Sequence, residues 1–141
     1  MKPLSVLVID DEELDRYLLG RDLQRAGIEA RLFEATDGEQ GLDFMRRFDE
    51  GLEQYGDDYP PVLIFLDINM PRMDGFTFLE RYAELRETEE RIRSCVVMMF
   101  SSTERPDEVE RALSYDFVRG FITKGQPSKD ELRAMIEQAR A

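Results

Sequence analysis

The sequence predicts an α/β fold in which helices cover both faces of a five-stranded parallel sheet. Residues 4–9, 62–66 and 96–100 form continuous apolar runs, without the alternation of a half-exposed strand. Such runs are typical of parallel strands that are buried on both faces. Two weaker strands are predicted near residues 30–33 and 120–123, and helical patterns separate the strands. Five strands alternating with five helices indicate a doubly wound sheet with right-handed connections.

Five helices are predicted from apolar residues that recur every three or four positions. The second is expected to be unusually long, and polar loops are expected over residues 54–61 and 87–94. The last helix begins with Ser128 and Glu131 at the spacing of a capping box. The apolar positions of the five helices are Leu14, Leu18 and Leu23; Leu42, Met45, Phe48 and Leu52; Phe76, Leu79, Tyr82, Ala83 and Leu85; Val109, Ala112 and Leu113; and Leu132, Met135, Ile136 and Ala139.

Composition limits the classes of function. The 141 residues suit one domain, residues 1–141, and leave no room for an output domain. The net charge of −12 argues against binding nucleic acid, whose phosphates require a basic face. Histidine is absent, which excludes zinc–histidine sites and catalytic triads. The single cysteine, Cys95, is expected to be a buried apolar side chain in a reducing compartment. With no membrane span and no secretory signal in the sequence, a cytoplasmic protein is expected.

Acidic residues stand where two of the predicted strands end. Asp10 and Asp11 follow the first strand and Asp67 follows the third. In a flavodoxin-like strand order of 2-1-3-4-5 these strands are neighbours, so the three side chains are expected to meet at the carboxyl edge of the sheet. Two carboxylates ~4 Å apart repel by roughly 4 kcal/mol at a surface-like dielectric. A divalent cation would relieve this repulsion, and Mg²⁺ suits a few carboxylates plus a phosphate better than Ca²⁺ does. The alternative for Asp11 is a cap on the first helix.

Basic and hydroxyl side chains follow the fourth and fifth predicted strands at the same edge. Lys124 ends the fifth strand, from where its ammonium can pair with the carboxylates or with a phosphate. The fourth strand leads into Ser101, Ser102 and Thr103. One of these hydroxyls is expected to donate to a phosphoryl oxygen; the alternative for Ser102 and Thr103 is capping of the helix that starts near Pro106.

Four stretches, in this order along the chain, resemble the receiver domains of two-component response regulators, and especially the chemotaxis regulators. Residues 6–12, 35–38, 66–75 and 121–124 read VLVIDDE, ATDG, LDINMPRMDG and FITK. The third stretch is the most specific of the four to this family. The occurrence of all four stretches in the family's order makes the resemblance stronger. The resemblance implies a phosphorylation switch that catalyses its own phosphorylation and dephosphorylation and is otherwise not an enzyme.

The resemblance also implies a role for each residue of the site. Asp67 would be the phosphoacceptor and would bind Mg²⁺ together with Asp10, Asp11 and the backbone carbonyl of Asn69. Lys124 would pair with the phosphoryl group. Ser101 is the chosen switch hydroxyl, although the spacing to Lys124 leaves Ser102 open and one alignment places Phe100 there. Phe121 matches the aromatic residue whose rotamer responds to phosphorylation.

Two departures from the family pattern stand beside the matches. Gly125 follows Lys124 where the family usually has proline, so a cis-proline is not available there. Phe121 replaces the more usual tyrosine and lacks its hydroxyl. The long second helix and its loop resemble the single-domain receivers that accompany phytochrome kinases.

The implied partners are a sensor histidine kinase or a histidine phosphotransfer protein, and a downstream protein that docks on the face of the fourth helix, fifth strand and fifth helix. Three rival functions are considered. A flavin- or nucleotide-binding module would need a phosphate-binding loop where residues 10–13 are all acidic. A Mg²⁺-dependent phosphatase with an Asp nucleophile would need an acid two residues later, where Asn69 stands. A pseudo-receiver would bind partners without phosphorylation, which the complete acidic set disfavours.

Overall fold

The fold is known from a computed structural model that describes residues 4–102, 104–125 and 129–140. Its five strands form one parallel sheet in the order β2-β1-β3-β4-β5, as the sequence predicted. The strands are β1 (Leu4–Ile9), β2 (Ala30–Ala35), β3 (Leu63–Leu66), β4 (Val96–Ser101) and β5 (Val118–Thr123).

Six α-helices, rather than the predicted five, connect the strands in the described part of the chain. They are α1 (Glu13–Arg25), α2 (Gly38–Arg46), α3 (Phe48–Tyr55), α4 (Gly75–Thr88), α5 (Pro106–Leu113) and α6 (Lys129–Arg140). Short 3₁₀ turns at Gly56–Asp58 and Glu90–Ile92 lie within the two predicted polar loops.

The predicted second helix is two helices because the chain turns at Arg47, whose ψ of 60° is not helical. The Tyr59 hydroxyl donates to the carbonyl oxygens of Phe44 (2.5 Å) and Met45 (3.3 Å). These are carbonyls that the last turn of a helix leaves without intrahelical partners. A side chain from beyond α3 therefore stabilises the interruption, and the local apolar spacing gives no sign of it.

The sheet separates two apolar cores, as expected for strands buried on both faces. Side chains of β1 alternate between them, with Leu7 and Ile9 in one core and Val6 and Val8 in the other. Helices α1 and α6 cover the second core, whereas α2 to α5 cover the first. Cys95 is a free thiol with no exposed surface, as predicted. None of the helices in the described ranges has the length and apolar character needed to cross a bilayer.

Aspartates within the recognised stretches begin two of the helices. The Asp37 carboxylate accepts from the backbone N–H of Gln40 (2.8 Å) at the start of α2. Asp74 accepts in the same way from Thr77 (2.8 Å) at the start of α4. The capping box predicted at Ser128 lies outside the described residues, as does Thr103.

Candidate functional site

Three carboxylates from distant parts of the chain meet at the carboxyl edge of the sheet. Asp10 follows β1 and Asp67 follows β3, and these strands pair directly, with Ile9 opposite Leu66. One carboxylate oxygen each of Asp10, Asp11 and Asp67 lies within 4.8 Å of the others. Asp10 and Asp67 are buried, at 1% and 6% exposure, while Asp11 is exposed. Asp11 is not the cap residue of the first helix: Glu12 takes that position, and its side chain makes no capping hydrogen bond.

The backbone around Asp10 is held on two sides. Its carboxylate accepts from the N–H of Glu12 (2.9 Å), which closes the turn into α1. Its carbonyl oxygen accepts from the Arg16 guanidinium (2.8 Å), and the same guanidinium pairs with Glu34 at 3.0 Å. The Arg16 side chain is 12% exposed. Arg16 therefore links α1 and β2 to the end of β1.

The Asp67 carboxylate is an ionisable group in a poorly solvated position. Burial is the main cause that raises its pKa to about 6, and the nearby Asp10 adds to the effect. Lys124 and the Ile68 N–H, which donates to Oδ1 at 2.8 Å, act in the opposite direction. A cation or an electrophile at this carboxylate would relieve the cost of burying its negative charge.

The Lys124 ammonium faces three carboxylates. Its Nζ lies 2.7 Å from Asp10 Oδ2, 2.8 Å from Asp15 Oδ2 and 3.4 Å from Asp67 Oδ2. Burial lowers the pKa of Lys124, but its hydrogen bonds to Asp10 and Asp15 outweigh burial and the net pKa lies above the ordinary range. The Lys124 backbone N–H donates to the Ser101 carbonyl oxygen (2.7 Å), which ties the end of β5 to β4.

Asp15 and Arg16 also belong to this site, although no sequence pattern indicated them. Both lie in the first turns of α1, directly after the acidic segment. Asp15 is the third residue of α1, whereas Asp11 lies before that helix begins. No local pattern marks Asp15, because its partner Lys124 is 109 residues away. No local pattern marks Arg16 either, because its partners are a backbone carbonyl and a residue on β2.

Burial and strand alternation distinguish the hydroxyl candidates. Ser101 is the last residue of β4 and has no exposed surface, whereas Ser102 is exposed. Alternation places Ser101 on the same sheet face as Met99, the face against which Phe121 packs. Phe100 belongs to the opposite core. Arg105, and not Ser102, is the cap residue of helix α5, and the Arg105 side chain makes no capping hydrogen bond.

The residue after Lys124 has a backbone conformation that excludes proline. Gly125 has φ +78°, in the left-handed region that glycine adopts readily. Proline has φ near −65° and cannot adopt it. The loop after Lys124 therefore follows a different path from the one that a proline at position 125 would impose.

The residues present fit a magnesium ion. The cluster offers only carboxylate oxygens, the hard ligands that Mg²⁺ prefers, and two of its three members are buried. The site holds four carboxyl groups, those of Asp10, Asp11, Asp15 and Asp67, and one ammonium group, that of Lys124. This excess of acidic groups favours a dication. Asn69, the further predicted ligand, is exposed in the loop that follows Asp67.

Comparisons with known proteins show the family to which the chain belongs. The family model for the response regulator receiver domain matches residues 6–137. A relative from Pseudomonas aeruginosa, protein-glutamate methylesterase/protein-glutamine glutaminase 2, is 37% identical over 142 residues, which is 99% of this chain. This chain spans 35% of the length of that relative.

Three solved structures share the fold. The two component response regulator from Cytophaga hutchinsonii superposes with a TM-score of 0.77 at 21% identity, covering 99% of this chain and 98% of that one. The receiver domain of the histidine kinase CKI1 from Arabidopsis thaliana, solved with Mg²⁺, gives 0.75 at 21% identity, covering 96% and 90%.

The bacteriophytochrome response regulator RtBRR gives a TM-score of 0.73 at 24% identity, covering 99% of this chain and 80% of that one. At this identity the likeness shows the fold alone, so the phytochrome-associated subgroup stays a prediction. The match over residues 6–137 is sufficient for the family itself: the chain belongs to the response regulator receiver domains of two-component signalling.

Proposed function

We propose that this receiver domain is a phosphorylation switch in which Asp67 accepts a phosphoryl group from a phosphohistidine. The donor is a sensor histidine kinase or a histidine phosphotransfer protein. One observation carries the proposal: the buried Asp67 carboxylate lies beside the Lys124 ammonium and within 4.8 Å of the ligand oxygens of Asp10 and Asp11. Burial makes the charge of this carboxylate unfavourable, which favours its reaction with a phosphoryl group. The neighbouring groups stabilise the charge of the incoming phosphoryl group.

The transfer is a displacement at phosphorus. An Asp67 oxygen forms the new P–O bond while the P–N bond to imidazole breaks, and the bonding pair leaves with the imidazole nitrogen. Since the Ile68 N–H already donates to Oδ1, Oδ2 is the oxygen that faces the ammonium and the acidic cluster. We assign the attack to Oδ2. Lys124 then pairs with the equatorial phosphoryl oxygens.

We infer that Mg²⁺ binds to Asp10, Asp11, Asp67 and the Asn69 backbone carbonyl. When bound, Mg²⁺ would offset the negative charge of the carboxylates and of the phosphoryl oxygens. The chain's contribution is to keep the end of β1 in place, since Glu12 and Arg16 hold both oxygen-bearing groups of Asp10. The CKI1 receiver domain, which was solved with Mg²⁺, supports this inference by its likeness of fold.

The switch resets when water attacks the phosphorus. The P–O bond to Asp67 breaks, the carboxylate leaves, and inorganic phosphate is released. No other substrate is consumed, so the chain is proposed to act on its own acyl phosphate rather than as an enzyme with separate substrates. We expect this chemistry to take place in the cytoplasm, where Cys95 stays reduced.

The signal is proposed to pass from Ser101 to Phe121. A phosphoryl group on Asp67 adds almost two negative charges and new acceptor oxygens. The Ser101 hydroxyl moves toward these oxygens, and the partly buried Phe121 ring fills the space that the hydroxyl leaves. The face formed by α5, β5 and α6 then changes shape; these helices are the fourth and fifth of the sequence prediction. A downstream protein reads that face.

Labelling with acetyl phosphate tests the proposal. The protein should be labelled in the presence of Mg²⁺, and chelation should abolish labelling. Asp67→Asn should remove the label completely. Asp74→Asn is the matched control, because Asp74 is an exposed residue of the same stretch and asparagine also caps helices. Full labelling of Asp67→Asn would refute the assignment, and rapid turnover of small phosphate esters would favour the phosphatase.

A further inference from the structure

The unexplained feature of the site is the position of Asp15. It lies in the first turn of α1, outside the acidic cluster, yet its carboxylate is 2.8 Å from Lys124 Nζ. The side chain is 29% exposed, while the Lys124 side chain is 14% exposed. The contact joins residues 109 positions apart, so local sequence does not impose it.

A phosphoryl oxygen would have to compete with three carboxylates for the Lys124 ammonium, which donates a hydrogen bond to Asp15. A lysine ammonium carries three N–H donors, and three carboxylates surround it. The two short contacts go to Asp10 and Asp15, at 2.7 and 2.8 Å, and the long one goes to Asp67, at 3.4 Å. Lys124 is therefore held closer to α1 and β1 than to the phosphoacceptor.

The two short contacts differ in what the proposed function does to them. Asp10 is a proposed metal ligand, so binding of the cation draws its charge away from Lys124. Asp15 is outside the three-residue cluster and keeps its whole charge for the ammonium. Asp15 is thus the carboxylate that continues to compete with a phosphoryl group for Lys124.

We propose that Asp15 is a positioning residue that restrains Lys124 and weakens its pairing with the phosphoryl group on Asp67. The inference rests on the proposed function, because it concerns the same phosphoryl site. Phosphorylation requires Lys124 to exchange part of its contact with Asp15 for one with the phosphoryl oxygens. The strength of this restraint sets how firmly the site holds a phosphoryl group, and the exchange alters a contact of the first turn of α1.

Beryllofluoride, a stable mimic of the phosphoryl group, is the probe for this competition. At saturating Mg²⁺, we expect Asp15→Asn to bind beryllofluoride about two- to tenfold more tightly than the unmodified protein, a range typical of losing one partly exposed ion pair. Asp15→Glu, which keeps the charge, should return the affinity toward the original value.

The removal of a negative charge alone would also favour an anion, so a matched control is needed. Glu13 is an exposed carboxylate in the same turn of α1, without a contact to Lys124 among the described residues. Glu13→Gln should change the affinity by less than about twofold, and high salt should remove that change because it acts at long range. Equal effects of Asp15→Asn and Glu13→Gln, or weaker binding by Asp15→Asn, would overturn the proposal.

A second measurement separates this inference from the proposed function. In a crystal structure of Asp15→Asn without beryllofluoride, the distance from Lys124 Nζ to Asp67 Oδ2 should fall below the present 3.4 Å. An unchanged position of Lys124 would refute the restraint. Failure of the unmodified protein to bind beryllofluoride would instead refute the phosphoryl site, whatever Lys124 does in the variant.

Discussion

Gly75 packs directly against the backbone of Asp67. A Cβ atom at position 75 would lie 2.3 Å from the Asp67 carbonyl oxygen and 2.9 Å from the Cα of Ile68. The Gly75 N–H donates to the Ile68 carbonyl oxygen (2.7 Å). The first residue of α4 thus supports the loop that carries the proposed phosphoacceptor. This contact gives a physical reason for a glycine eight residues after Asp67.

Gly75→Ala should therefore disturb both stability and the site. The added methyl group meets backbone atoms that cannot rotate away, so we expect a loss of at least about 2 kcal/mol in the free energy of unfolding. Urea denaturation measures this loss. Gly20→Ala is the control, since its Cβ would meet only the tip of Leu32, a flexible side chain, at 2.9 Å. A loss at position 75 no greater than at position 20 would contradict the close packing.

Arg16 is expected to stabilise the end of β1 that carries Asp10. Arg16→Met removes a charged hydrogen bond to the Asp10 carbonyl and the ion pair with Glu34. The free energy of unfolding should therefore fall by about 1–3 kcal/mol. Mg²⁺ affinity, measured by calorimetry, should fall as well. Arg25→Met, an exposed residue of the same helix, should stay within about 0.5 kcal/mol of the original. Unchanged Mg²⁺ affinity in Arg16→Met would show that Asp10 needs no such support.

The raised pKa of Asp67 predicts how stability depends on pH in the metal-free protein. The ordinary pKa is 3.8 and the folded value is about 6, so the folded state binds more protons than the unfolded state between these values. Stability should therefore fall as pH rises from about 4 to 6 on account of this group.

Asp67→Asn removes that penalty. The variant should be more stable than the original by about 1–3 kcal/mol above pH 6, with the difference vanishing near pH 4. Thermal unfolding in the presence of a chelator measures the stability of both proteins across this pH range. Added Mg²⁺ should narrow the gap, since the cation stabilises the ionised carboxylate. An Asp67→Asn variant that is less stable than the original at pH 7 would contradict the cost of burying this charge.

The sequence was informative where apolar pattern and topology decide the structure. Continuous apolar runs predicted buried parallel strands, and the strand order then required Asp10 and Asp67 to end side by side. The interruption at Arg47 was missed because it depends on Tyr59, a residue beyond the helix. Asp15 was missed because its partner, Lys124, is 109 residues away. Long-range side-chain contacts of this kind leave no periodic signal.

The two candidate hydroxyls can be separated by substitution. Ser101 is buried on the face of Phe121 and Ser102 is exposed, so Ser101→Ala should reduce the change at Phe121 that beryllofluoride and Mg²⁺ produce. Ser102→Ala should leave that change intact. Ring chemical shifts of Phe121 report it. A normal response in Ser101→Ala together with a lost response in Ser102→Ala would reverse the assignment.

Chemical mapping of the acyl phosphate tests the central claim most directly. Borohydride reduces an aspartyl phosphate to homoserine, which peptide mass spectrometry locates. After treatment with acetyl phosphate and Mg²⁺, the account predicts homoserine at position 67, and at neither Asp10 nor Asp11. Homoserine at another aspartate, or none in a protein that carries the label, would contradict the assignment of Asp67 as the phosphoacceptor.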